Sequence, residues 1–320
     1  MRIVVTGALG HIGSRLIRDL PFAFPRSEIV MVDNLATQRH SSLFDLPPGA
    51  RYRFLETDIL ACDLPALFEG ADAVIHLAAV TDAAGSFAMR EKVERVNLLG
   101  TEKVARACAR TGAPLVFPSS TSVYGPRGGT VDEECDELRP QSPYAESKLE
   151  SERLLQRLGA SAELRFVTCR LGTIFGTSPG MRFHTAVNKF CWQAATGQPL
   201  TVWRDALHQH RPYLDLGDAT RALAFILRRR LFDRRVYNVL TLNATVARVT
   251  GIISARAPGV RIELVDSPLL NQHSYKVSCE RFRQTGFGFS GDLERGIDDT
   301  LRMLGSPTGQ AAPIAAGVEA

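Results

Sequence analysis

No two cysteines in this chain are separated by only two residues. The six, Cys62, Cys108, Cys135, Cys169, Cys191 and Cys279, are scattered, so neither a disulfide framework nor a CxxC zinc or redox motif is indicated. No apolar run is long enough to cross a bilayer. With Arg2 leading straight into Ile3, no leader is expected before the first apolar run. A cytoplasmic protein without a membrane partner is the expectation. An excess of one charge is missing as well: 38 Lys and Arg stand against 34 Asp and Glu, a net +4. The densest basic run, Arg228-Arg229-Arg230 with Arg234-Arg235, is short. It reads as a solvated helix end, where cations suit the dipole, and gives no support to a nucleic-acid partner. His208-Gln209-His210 is too small a cluster to indicate a metal site, and no internal repeat is present.

What remains is ordinary in bulk and specific in pattern. Hydrophobic residues make up 45% and charged residues 22% of 320, the composition of a globular enzyme with chain enough for a large core. Short apolar runs at 3–5, 29–32, 52–56, 73–78, 115–119 and 166–170 alternate with helical patterns. In one such pattern Ile12, Leu16, Ile17 and Leu20 share a face; in another Val104, Ala107 and Cys108 do. Near-continuous apolar runs suit strands buried on both faces of a parallel sheet, and strand–helix alternation predicts a doubly wound α/β fold. After residue 176 turn-rich stretches loosen the rhythm, with further strands expected at 236–239 and 261–264 and a helix at 292–303. The expected division is a Rossmann domain over 1–175, with 212–254 returning to it. A smaller C-terminal α/β substrate-binding lobe takes 176–211 and 255–304. The Gly/Ala/Pro-rich stretch 305–320 reads as a disordered tail.

TGALGHIG, residues 6–13, sets three glycines right after a strand and at the start of an amphipathic helix, the context a dinucleotide fingerprint requires. Gly7 allows the tight turn, Gly10 lets backbone approach a pyrophosphate, and Gly13 lets the helix pack closely on the sheet. The helix N-terminus then offers free N–H groups to phosphates. Asp33 ends the second strand about 20 residues later, where a carboxylate accepts from a ribose and repels a 2′-phosphate, which favours NAD over NADP. Arg39 stands nearby and softens that preference. Asp58 is placed either to reach the adenine or to cap a turn.

PYAESK, residues 143–148, places Tyr144 and Lys148 four apart on one helix face, with Pro143 suited to the first turn. An ammonium beside a phenol favours the phenolate, and the pair reads as a general base near neutral pH. FPSSTSVYG, residues 117–125, ends the fifth strand at the sheet edge where α/β ligands bind. One of its hydroxyls is a candidate partner for the substrate oxygen beside Tyr144.

Together with HLAA at 76–79 and VNLLGT at 96–101, these motifs resemble the extended short-chain dehydrogenases/reductases. More narrowly, they resemble the NAD-dependent nucleotide-sugar epimerase/dehydratase family, of which UDP-glucose 4-epimerase is a member. The likeness covers most of 1–240, with the motifs in order. It implies catalytic roles for Tyr144 as base, Lys148 as holder of the nicotinamide ribose, and Ser120, with Thr121 the second choice. It implies NAD contacts from Gly7, Leu9, Gly10, His11, Ile12 and Gly13, from Asp33 and Asn34, and from Asp58 and Ile59. Leu77, Ala78, Ala79, Asn97, Tyr144 and Lys148 complete that set. For a nucleotide-sugar substrate linked to UDP, dTDP, GDP or CDP, it implies contacts from Ser86, Ser120, Thr173, Asn188 and Arg211. A homodimer built on the helices near 93–110 and 143–158 is implied too.

Members that dehydrate carry acidic residues after the catalytic Ser or Thr, and those that decarboxylate usually keep a glutamate before the valine. This chain has Thr121 and Ser122, neither of which is a carboxyl group. The resemblance therefore points to redox at one carbon: epimerisation at C4 through a transient 4-keto sugar. A dehydrogenase or ketoreductase with net cofactor turnover is the alternative. Three departures lie in the substrate half: Arg170-Leu171-Gly172-Thr173, Lys276-Val277-Ser278-Cys279 and the His208-Gln209-His210 segment.

Overall fold

Alternate residues of the apolar runs face opposite ways, and both faces are buried. In the computed structural model, which describes residues 1–126, 128–162, 164–266 and 274–305, seven parallel strands form one sheet. They are β1 Arg2–Thr6, β2 Glu28–Asp33, β3 Arg51–Glu56, β4 Ala73–His76, β5 Leu115–Ser120, β6 Phe166–Leu171 and β7 Val236–Val239. Their order is β7-β6-β5-β4-β1-β2-β3. Ile3, Val5, Ile29, Met31 and Ile75 pack into one core; Val4, Val30, Val32 and Val74 pack into the other. The two-residue period of a strand accounts for the split. Helices α1 His11–Ala23, α2 Gly100–Thr111, α3 Pro143–Ser161, α4 Ala186–Ala195, α5 Leu216–Arg229, α6 Val246–Arg256 and α7 Leu293–Leu304 follow in chain order. Leu16, Ile17 and Leu20 of α1 join Leu223 and Ile226 of α5 over the first face. Val104 and Cys108 of α2 join Leu154, Leu155 and Leu158 of α3 over the second.

This is a Rossmann α/β fold. The chain moves outward from β1 through β2 to β3, then crosses to β4 and runs the other way. Between β1 and β4 the direction reverses, which opens a crevice at the strands' carboxyl ends.

The second lobe has a core of its own, which collects Val187, Phe190 and Cys191 of α4, Val249 and Ile253 of α6, Ile297 and Leu301 of α7, and Phe175. Short strands line it; the sequence pattern predicts Ile262–Val265, one residue displaced, and misses the rest. His210–Asp215 pairs antiparallel with Leu242–Thr245 and parallel with Thr173–Phe175, and Leu200–Trp203 pairs with Ile262–Val265. The expected division needs a correction here. Of 212–254, α5 and β7 pack with the Rossmann sheet, but Leu242–Thr245 and α6 belong to the second core, because Val246, Val249 and Ile253 bury there. All of the expected tail except Gly305 lies outside the described residues.

Candidate active site

Gly7 leaves β1 with φ +68°, in the left-handed region, and a Cβ there would stand 2.5 Å from the Ala78 backbone nitrogen after β4. The crossing of β1 and β4 is thus close enough to demand glycine. A Cβ on Gly13 would meet the Gly7 carbonyl at 2.4 Å, so α1 starts directly on the turn. Leu9 donates its N–H to Asp33 Oδ2 at 3.0 Å, and Leu35 donates to Asp33 Oδ1 at 3.0 Å. Asp33 therefore braces the turn from the end of β2. Asn34 Nδ2 donates to Asp58 Oδ2 at 3.1 Å, which joins the next two strand ends. Ile59 buries its side chain in the core against Gly100, which leaves its backbone to face a ligand.

A cavity of about 450 Å³ runs from this turn into the second lobe. Gly7, Gly10, His11, Ile12, Gly13, Leu77, Ala79, Ser120, Thr121, Tyr144, Lys148, Thr173 and Arg211 line it among the expected residues. Leu9, Asp33, Asn34, Asp58, Ala78 and Asn97 stand outside its lining. Ala78 is the residue pressed against Gly7. Asn97 sits in a π turn, Glu94–Leu99, that interrupts the expected helix 93–110. There it accepts from the Val80 N–H at 2.8 Å and donates to the Val80 carbonyl and Ser147 Oγ, each at 3.0 Å. The loop after β4 is thereby tied to α3. Beneath it, His76 is buried between Thr6 and Thr101, at 2.7 and 3.2 Å. Thr101 gives its proton to the Asn97 carbonyl, so His76 donates from Nε2 and accepts at Nδ1. Burial lowers its pKa to about 3, with Lys148 adding to the effect.

At the start of α3, Ser142 Oγ accepts from the Ala145 N–H at 3.2 Å and Pro143 takes the first turn. This capping sets Tyr144 facing Ser120. Burial raises the Tyr144 phenol above its usual value; the Ser120 hydroxyl that hydrogen-bonds it and the Arg182 guanidinium pull the other way. Lys148 Nζ donates to the Pro118 carbonyl at 2.8 Å and lies 4.8 Å from the Phe117 ring centre. Burial lowers its pKa to about 8, against the opposing carboxylate of Glu152. Glu152 is held by Arg170 at 2.7 Å, with both side chains 5% exposed, and by Ser119. Ser120 caps a 3₁₀ turn, accepting from the Ser122 N–H at 3.1 Å and Ser122 Oγ at 2.8 Å. Thr121 donates to the Leu171 carbonyl at 3.3 Å and hydrogen-bonds Tyr275.

Two substrate expectations fail because the side chains are spent inside the protein. Ser86, fully buried, donates to the Ala83 carbonyl and accepts from the Tyr144 N–H. It positions α3 and is turned away from the cavity. Asn188, also fully buried, accepts from the Gly176 N–H at 3.2 Å and donates to the carbonyls of Gly176 and Arg182 at 3.4 and 3.1 Å. Arg211 does face the cavity. It lies 5.4 Å from the Tyr275 ring and donates to Gln209 Oε1 at 2.7 Å, which gives Gln209 of the unusual segment a bracing part. Arg182, His184, Lys189 and Tyr275 also line the cavity and were missed. Arg182 and His184 stand in a turn-rich stretch as cations without a periodic reason to be there, which is a weak signal. Tyr275 carries none. Asp82, on the loop after β4, is the one carboxylate among the described lining residues.

A family model described as the NAD dependent epimerase/dehydratase family matches residues 3–239. The chain is 30% identical over 236 residues to an uncharacterized UDP-glucose epimerase of Bacillus subtilis, YtcB, over 71% of this chain and 72% of that one. It is 27% identical over 93% of its length to a trifunctional UDP-glucose 4,6-dehydratase/UDP-4-keto-6-deoxy-D-glucose 3,5-epimerase/UDP-4-keto-L-rhamnose-reductase of Arabidopsis thaliana. The match spans about half of that relative, 46%. Among solved structures, the UDP-glucose 4-epimerase of Thermus thermophilus in complex with NAD superposes with a TM-score of 0.82 at 27% identity, over 95% of this chain and 99% of that one.

Proposed function

This chain belongs to the NAD dependent epimerase/dehydratase family, and from that membership we propose that it inverts C4 of a nucleotide-linked sugar through a transient 4-keto intermediate. The observation that carries the reading is the composition of the reacting end of the cavity. Ser120, Thr121, Ser122, Tyr144 and Lys148 meet there, hydroxyls around a phenol with an ammonium behind, and no carboxyl group stands at Ser120–Ser122. A phenol can take a hydroxyl proton and return it. Removal of water at a neighbouring carbon needs an acid and a second base that those positions lack.

The residues fit NAD. Gly7, Gly10 and Gly13 line the cavity without side chains, so backbone there is open to a pyrophosphate, and Asp33 ends β2 where a ribose would stand. NAD supplies reversible hydride acceptance from the sugar carbon. Tyr144 accepts the C4 hydroxyl proton, Ser120 hydrogen-bonds the same oxygen, and Lys148 holds the nicotinamide ribose. Arg211 and Thr173 hold the nucleotide diphosphate and sugar. A homodimer across α2 and α3 completes the proposal.

The test is product analysis. Purified protein is given UDP-, dTDP-, GDP- and CDP-sugars without added NAD, and the sugar stereochemistry is followed by NMR together with NADH absorbance. C4 inversion without NADH is expected. NADH accumulating with a ketone, or loss of water from the sugar, would replace the proposal by a dehydrogenase or a dehydratase. Tyr144→Phe should lower turnover by roughly 10²–10⁴ while NAD still binds, an outcome that also excludes a purely NAD-sensing role.

A further inference from the structure

Residues 176–182 leave the second lobe and lie across the glycine turn of the first. His11 Nε2 donates to the Gly176 carbonyl at 3.0 Å, and Ser178 Oγ donates to the His11 carbonyl at 2.9 Å. The Gly180 N–H donates to Ser14 Oγ at 3.0 Å, and Ser41 Oγ reaches the Pro179 carbonyl at 3.4 Å. Gly180 is so close to the turn that a Cβ would stand 2.3 Å from the Leu9 carbonyl and 2.6 Å from that of Gly10. Buried Asn188 grips the strap at both ends, at Gly176 and Arg182.

Arg182 follows directly and faces the cavity beside the glycines and Tyr144. Among the described residues its guanidinium has no ion pair or hydrogen bond. Arg39 arrives from the other side, after β2. Its Nη1 is buried without a hydrogen-bond partner and lies 4.0 Å from where a Gly10 Cβ would be. Burial and the nearby Arg39 charge lower the Arg182 pKa to about 10. Asp33, an acid that both arginines feel, already takes the N–H groups of Leu9 and Leu35. Asp82 on the cavity wall also acts on Arg182, yet among the described residues neither acid hydrogen-bonds either guanidinium, so two planar donors stand unfilled over a helix N-terminus. Planar guanidinium forks match phosphate oxygens in two-point contact.

We propose that Arg182 from the second lobe and Arg39 from the first close over the pyrophosphate of bound NAD, so that the strap 176–182 retains the cofactor between turnovers. The inference rests on the NAD reading of the same cavity. It ties both lobes to one anion and suits a reaction that returns its hydride every cycle.

The experiment measures NAD and ADP-ribose binding by calorimetry, and NAD dissociation by displacement, on wild type stripped of nucleotide and on Arg182→Gln, Arg182→Lys and Arg39→Gln. ADP-ribose keeps the pyrophosphate and lacks the nicotinamide. Arg182→Gln should lose roughly ten- to a hundredfold affinity for both ligands, the worth of a charge-assisted hydrogen bond, with faster NAD release. Arg182→Lys, which keeps the charge but not the fork, should fall between. The unfolding midpoint without ligand should stay that of wild type. Unchanged NAD and ADP-ribose binding in Arg182→Gln would overturn the clamp while leaving the cofactor reading intact. UDP-glucuronic acid and UDP-glucose are titrated on the same proteins, and a loss confined to UDP-glucuronic acid would move the anion onto the sugar carboxylate and also overturn it. A wild type that binds neither NAD nor ADP-ribose would remove the cofactor reading and the clamp together.

Discussion

Tyr144 and Lys148 share a helix face, as their spacing requires, yet their side chains serve different neighbours. The spacing was legible; the direction of the ammonium was not, because it depends on the Pro118 carbonyl at the end of β5 and on the buried Glu152–Arg170 pair. Buried histidines show the same dependence on context. His11 and His76 are held neutral, their pKa values lowered to about 4 and about 3 mainly by burial. In the unfolded chain each binds its proton near pH 6.5. Below that pH the unfolded state holds more protons than the folded one, so stability is full above pH 6.5 and falls as pH drops through the window down to about 4. Between pH 7 and pH 5 each should cost roughly 2 kcal/mol, at about 1.4 kcal/mol per unit. Urea unfolding at the two pH values measures the loss, and His11→Gln should remove about half of it.

Among the elements, the glycine turn was readable because each glycine answers a local steric demand. Gly7 and Gly112 both have positive φ, +68° and +73°, but only Gly7 has backbone within reach of a Cβ. Gly112→Ala should cost about 1–2 kcal/mol, the strain of the left-handed region alone. Gly7→Ala should cost more by at least about 1 kcal/mol, since β4 must also shift, and should abolish NAD binding. Denaturant midpoints of the two variants decide this, and equal losses would sink the steric account. The π turn at Glu94–Leu99 was invisible in the apolar periodicity of 93–110. It exists to bring Asn97 to Val80 and Ser147, partners that come from other elements.

For the molecule as a whole, the first lobe was legible through its repeated strand–helix rhythm, and of the second only the strand at 262–265 and the helix Leu293–Leu304 were. That lobe's strands are short and its core draws on Phe175, α4, α6 and α7 from stretches far apart. Exposed apolar side chains remain beside α2 and α3, with Phe87 47% and Leu99 43% exposed. If α2 and α3 form the interface with a second copy, wild type should sediment as a dimer and Leu99→Asp as a monomer. A monomeric wild type would end the dimer proposal.

By itself the sequence determined the parallel sheet, the glycine turn, Asp33 at the end of β2 and the Tyr144–Lys148 face. These follow from periods of two and 3.6 and from steric rules acting within a few residues. Only the tertiary structure decided that Ser86 and Asn188 turn inward, that Glu152 stands behind Lys148, and that Arg182 crosses to the glycine turn. Those outcomes depend on approaches such as His11 to Gly176, 165 residues apart. Contacts over that separation are settled by how two cores pack together, and a local pattern carries no record of it.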